Sequence, residues 1–124
     1  MKLAIATNDK ETIPRQHFGE SRYFCIVDVL NTQPFTVECR GNPIPEHHVP
    51  NKPERILELL QDCDALVGRG FGAGSFAQVA RQKKQVLLTS HERIEDVTRD
   101  LHNGDLRRFK QFDPALNKFV AMEG

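Results

Sequence analysis

"DALVGRGFGAGSFAQVA", residues 64 to 80, decides the fold. Its opening residues form a short apolar run that stops at a glycine, the pattern of a strand buried on both faces. The glycine-rich turn then feeds a segment in which Phe76, Val79 and Ala80 line one face of a helix, ending near the basic "RQKK" of residues 81–84. "QVLLT" (85–89) reads as the next strand. Two strands joined through a helix run parallel.

Working outward, "KLAIAT" (2–7) is a second fully buried strand, expected at the centre of the sheet. "YFCIVDVL" (23–30) and "FTVECR" (35–40) flank the turn-prone "NTQP" as a hairpin. In its second arm Phe35, Val37 and Cys39 face one way, and Thr36, Glu38 and Arg40 face water. "GNPIPEHHVPNKP" (41–53) holds four prolines, a glycine and two asparagines, so it is a long loop; Pro53 opens a helix over 53–61 with Ile56, Leu59 and Leu60 inward. Beyond "QVLLT", Thr89 with Glu92 resembles a capping box, Ile94, Val97 and Leu101 give a helical stripe over 90–102, and Asn103 with Gly104 stops it. Residues 104–124 show no sustained period and are expected as an irregular tail packed in part on a 1–103 body. The fold expected is a single α/β domain, a mixed five-stranded sheet flanked by helices.

The chain has 124 residues with 17 basic and 17 acidic side chains, so no charge imbalance invites nucleic acid or an acidic membrane. No segment has the length of a membrane span or the layout of a signal peptide, and a cytoplasmic location is expected. Cys25, Cys39 and Cys63 are three, an odd number, and widely spaced, which argues for free thiols in a reducing compartment.

The glycine turn offers backbone donors and a helix dipole to an anion. Gly68, Gly70 and Ala73 formally satisfy a loose dinucleotide fingerprint, yet no acid ends the following strand, and close strand-helix approach explains the glycines equally well. His91 and His102 stand on a helix without a partner and read as packing or surface groups. His47 and His48 sit together on the proline-stiffened loop and can present an imidazole to a metal. Cys39 shares a face with apolar neighbours but ends its strand near that loop, where a thiolate ligand is conceivable. Asp9, Asp28 and Asp64 lie near strand ends, but a two-metal nuclease needs acids in the first strand, where Ala4, Ile5 and Ala6 stand. His17, alone beside Phe18 and Gly19, reads in isolation as a packing or turn residue.

Three segments taken together, "KLAIATNDKETIPRQHFGESRYFCIVDV", the loop after "ECRGNP", and "DALVGRGFGAGSFAQVA", resemble the dinitrogenase iron-molybdenum cofactor biosynthesis family, the NifX and NafY-like carriers and the carboxy-terminal domain of NifB. The resemblance runs from residue 2 to about residue 103. It implies a sheet ribonuclease H-like in outline and a non-catalytic role: binding an iron-sulfur or iron-molybdenum type cluster and passing it to apo-dinitrogenase or another acceptor protein. It implies His17 of the His-Phe-Gly motif as cluster ligand, with Phe18 and Gly19 beside it. Arg69, Gly70, Gly72 and Gly74 would form an anion-receiving rim, with His47 or His48, and Cys39, expected as auxiliary metal ligands. Two other readings stand beside it: a small-anion or nucleotide-binding regulatory module using the glycine turn, and, ranked last, an enzyme using Asp9 and Asp28 or Cys39.

Overall fold

Seven strands form one mixed sheet in the order β3-β2-β1-β4-β5-β6-β7. The structure, a computed structural model, describes residues 1–29, 35–44, 51–72, 76 and 84–122, with the backbone alone at 35 and 37. The strands are β1 (Lys2–Thr7), β2 (Tyr23–Asp28), β3 (Phe35–Gly41), β4 (Ala65–Gly68), β5 (Gln85–Thr89), β6 (Phe109–Asp113) and β7 (Lys118–Ala121). Two helices, α1 (Lys52–Leu59) and α2 (Ile94–Asn103), lie among the described residues.

The small and branched residues of β1 put it in the middle. Leu3, Ala4 and Ile5 have no exposed surface. β1 pairs antiparallel with β2, Lys2 opposite Asp28 and Thr7 opposite Tyr23, and parallel with β4, Leu3 opposite Ala65. β4 and β5 are also parallel, as expected, while the helix expected between them falls, except for Phe76, outside the described residues.

Because side chains alternate along each strand, the sheet separates two cores. One face gathers Phe18, Phe24, Phe76 and Phe112 with Ile56 and Leu60 from α1 and the end of its last turn. The other gathers Leu3, Ile5, Ile13, Val27 and Val67 with Ile94 and Val97 from α2. The helices therefore cover opposite faces, one chiefly against aromatic and one against aliphatic partners.

Two expectations change. The sheet has seven strands rather than five, because the supposed irregular tail folds into a β6–β7 hairpin that extends the sheet antiparallel to β5. Its turn is closed by Asp113, whose carboxylate accepts the amide of Ala115 at 2.9 Å, and by Asn117 at φ 53°. The capping box is also absent. Thr89 belongs to β5, its hydroxyl donates to the Arg108 carbonyl at 3.1 Å and accepts the His91 amide, and α2 starts only at Ile94. At the other end of α2, Gly104 takes the expected left-handed stop at φ 74°.

Candidate functional site

The chain leaving β1 is tied into a turn by short polar side chains. The Asp9 carboxylate accepts the amides of Thr12 at 2.7 Å and Glu11 at 2.9 Å and the Thr12 hydroxyl at 2.7 Å. The Thr12 amide, then its hydroxyl, then the Glu11 amide hold this carboxyl well below the usual range. Asn8 donates to Gln16 at 2.6 Å and accepts the Arg22 amide at 2.9 Å, bracketing residues 16–22. Inside that bracket lies a single 3-10 turn, Phe18–Glu20, with His17 at its head.

Phe18 is the anchor. It is fully buried and stacks on Phe24 at 4.8 Å between ring centres and on Phe71 at 5.3 Å, with Phe76 tilted at 5.3 Å. Its amide donates to the Gly70 carbonyl at 2.9 Å, which joins the His-Phe-Gly motif to the glycine turn by backbone. The glycines permit this approach. A Cβ on Gly68 would come within 3.3 Å of the Phe18 ring, and one on Gly70 within 3.1 Å of the Gln16 carbonyl oxygen.

His17 sits on top of this contact. Its side chain is 56% exposed, and its Nδ1 lies 3.4 Å from a Glu20 carboxylate oxygen. A Cβ on Gly72 would stand 3.8 Å from that Nδ1, and one on Gly70 3.8 Å from the imidazole Cδ2. The structure thus brings His17, Phe18, Gly19, Gly70 and Gly72 into one cluster, the exposed imidazole lying over buried Phe18 and Gly19 and beside the side-chain-free positions 70 and 72. Gly74, His47 and His48 lie outside the described residues.

Two candidates are placed elsewhere. The Arg69 guanidinium is largely buried, donates to the Ile13 carbonyl at 3.2 Å and lies 4.0 Å from Glu92, on the aliphatic side of the sheet. Engaged there, it is not the rim cation expected from its neighbours in sequence. Cys39 is joined to Cys25 in a disulfide, so its sulfur offers no thiolate to a metal in this state, and the expectation of free thiols fails for this pair. The two cysteines stand directly opposite on β2 and β3, and an odd total of three says nothing about such a local match.

The carboxylates are dispersed. Asp28 pairs with the amino terminus at 3.5 Å and Asp64 accepts the Lys2 amide at 2.9 Å, both at the start of β1, whereas Asp9 follows its end. Six strand residues span about 20 Å, too far for a shared metal pair. Among the described residues no group of three or more His, Cys, Asp or Glu side chains is placed to hold a metal ion.

Sequence reading missed three residues of this surface. Phe71 was counted only as part of the glycine turn, yet it stacks on Phe18 and touches Phe119 of β7 at 5.7 Å. Asn42 donates to the carbonyls of Gly19 at 2.9 Å and Ser21 at 2.7 Å, holding the 3-10 turn from β3. The Lys52 stem passes over Gly19, its Cε 3.3 Å from where a Cβ would be. An aromatic inside a glycine run was the one signal visible beforehand; the other two depend on tertiary contact.

Fold and surface together define a small α/β protein that presents one exposed imidazole on a glycine and phenylalanine platform. Residues 1–104 match the dinitrogenase iron-molybdenum cofactor family, and the chain belongs to that family. Membership ties it to the iron-molybdenum cofactor of dinitrogenase. No curated protein sequence matches the chain. In fold it is similar to a putative NifB protein from Thermotoga, at 16% identity and TM-score 0.63 over 99% of this chain and 98% of that one. It is likewise similar to a putative dinitrogenase from Methanocaldococcus jannaschii, at 13% identity and TM-score 0.62 over 90% and 93% of the two chains. No helix among the described residues is long and apolar enough to cross a membrane.

Proposed function

We propose that the protein is a non-catalytic carrier that holds an iron-sulfur or iron-molybdenum type cluster through His17 and passes it to apo-dinitrogenase or a related acceptor. The observation that carries this reading is the placement of His17: a half-exposed imidazole beside the side-chain-free positions of Gly70 and Gly72. Imidazole is a ligand for iron, and with Nδ1 beside Glu20 the ring nitrogen left to meet a metal is Nε2. Glycines on the flank leave room for a bulky anionic cargo beside the imidazole.

The fit also suits release. A ligand on a short turn, supported by stacking rather than by a ring of further ligands, gives up its cargo more readily than a closed four-ligand cage. The rigid part is beneath: Phe18, Phe24, Phe71 and Phe76 fix where the turn sits.

The test is anaerobic titration of the full chain with a preformed iron-sulfur cluster capped by small thiolates, followed by its visible absorption. Wild type is expected to take up the cluster and His17→Ala to lose at least tenfold in affinity, about 1.4 kcal/mol. Equal binding by the two removes His17 from the site.

A further inference from the structure

The disulfide lies outside the His17 surface but is wired to it. Cys25 has no exposed surface and packs in the aliphatic core, while Cys39 is partly exposed on β3, the strand at one edge of the sheet. A dissolved thiolate therefore meets Cys39 first. The third cysteine, Cys63, is buried on the aromatic face, where loss of solvent pushes its thiol up to about 11. It stays protonated and does not compete for the pair.

The strand pair around the bond is uneven. Between Ile26 and Val27 the β2–β3 register shifts, so on that side the ladder does not hold alignment by itself. On the other side, three residues after Cys39, Asn42 donates to the carbonyls of Gly19 and Ser21, and its own amide donates to the Arg22 carbonyl at 2.8 Å. The covalent tie stands between the irregular register and the residue that clamps the His17 turn.

We propose that Cys25–Cys39 is a thiol-disulfide redox site whose state sets how firmly β3, through Asn42, holds the turn carrying His17. The reacting partner is a dithiol reductant. Its thiolate attacks the Cys39 sulfur, forming a mixed disulfide and expelling Cys25 as a thiolate that takes up a proton. Its second thiol then attacks its own sulfur in the mixed disulfide, releases Cys39 as a thiol and leaves the reductant as a disulfide. Two electrons and two protons pass to the protein. In the reduced state β3 keeps its ladder bonds but loses the fixed point beside the bulge, and the Asn42 clamp opens more often.

The experiment uses the full chain equilibrated with reduced and oxidised dithiothreitol, with accessible thiols counted by alkylation and mass. Amide hydrogen exchange is followed at Ser21 and Asn42 in both states, and no cluster is added, so the outcome is independent of what His17 binds. Reduction is expected to yield two new alkylated cysteines with unchanged circular dichroism and exchange on the order of tenfold faster at those amides. Asn42→Ala in the oxidised state is expected to show the same faster exchange at Ser21. The proposal fails if excess dithiol leaves the bond intact in the folded chain, or if exchange in the reduced chain stays within about twofold of the oxidised. It fails equally if reduction unfolds the whole domain.

Discussion

The two faces of the sheet bury similar numbers of large side chains and do different things. The aromatic face ends in Phe18, whose neighbour in sequence is the exposed His17, so its packing is transmitted directly to the site. The aliphatic face seals the sheet against α2 and holds Arg69 by the Ile13 carbonyl, with no side chain reaching the imidazole among the contacts described. Flat rings stacked at 4.8 and 5.3 Å fix one another's orientation as well as their contact area, and Phe18 carries that orientation to its neighbour His17. Stability is shared between the faces, and position is set by one of them.

The largest test removes one anchor from each face. Phe18→Ala is expected to cost about 3–5 kcal/mol and Ile5→Ala about 2–5 kcal/mol, read by urea or thermal unfolding. The comparison breaks if the His17 imidazole resonances move as far in Ile5→Ala as in Phe18→Ala, measured well below either transition. A shift confined to Phe18→Ala sharpens it.

A smaller effect separates two glycines. In Gly70→Ala the new methyl meets the Gln16 carbonyl oxygen at 3.1 Å, a backbone atom with little room to yield, and the expected loss is about 1–3 kcal/mol. In Gly41→Ala nothing lies within 4 Å, and a strand position gains about 0.5–1 kcal/mol from the reduced freedom of the unfolded chain. Equal losses in the two variants would show that the tight junction between the His-Phe-Gly turn and the glycine turn is not what Gly70 serves.

Most of the sheet was legible because β1, β2, β4 and β5 are apolar runs with sharp ends, and hydrophobic burial dictates their state. The hairpin was not. In β6 the inward residues Phe109 and Phe112 are three apart, a spacing that mimics a helix, and β7 is four residues long with exposed ends. Asp113 and Pro114 are turn-forming residues, but the segments on either side lack the alternation that marks strands. At the site, the His-Phe-Gly turn and the glycine turn were legible as motifs. Arg69 was misplaced because adjacency in sequence does not say which face of the sheet a side chain joins, and Cys39 because cross-strand pairing depends on register.

Acid should distinguish the loop that joins the faces from the faces themselves. Asp9 has a folded pKa below its unfolded value, near 3.9, so its contribution is complete above about pH 4 and is lost as pH falls through the depressed folded value. The difference in stability between wild type and Asp9→Asn is therefore expected to be largest near neutral pH and to shrink below pH 4, followed by urea unfolding at each pH. A difference that grows in acid would mean that the hydrogen bonds to Thr12 and Glu11 do not hold the charged form.

The smallest expected change in stability belongs to His17 itself. A side chain 56% exposed, in contact with Glu20 at 3.4 Å, carries little packing, and His17→Ala is expected to shift stability by no more than about 0.5 kcal/mol. That near-neutrality is the sharpest form of the comparison. A residue seated on stacked aromatic rings that gives almost nothing to stability would be held in place for a reason other than folding. If His17→Ala instead costs as much as a buried residue, measured by thermal unfolding without any cluster present, the imidazole is a packing group and the case for a ligand at this position collapses.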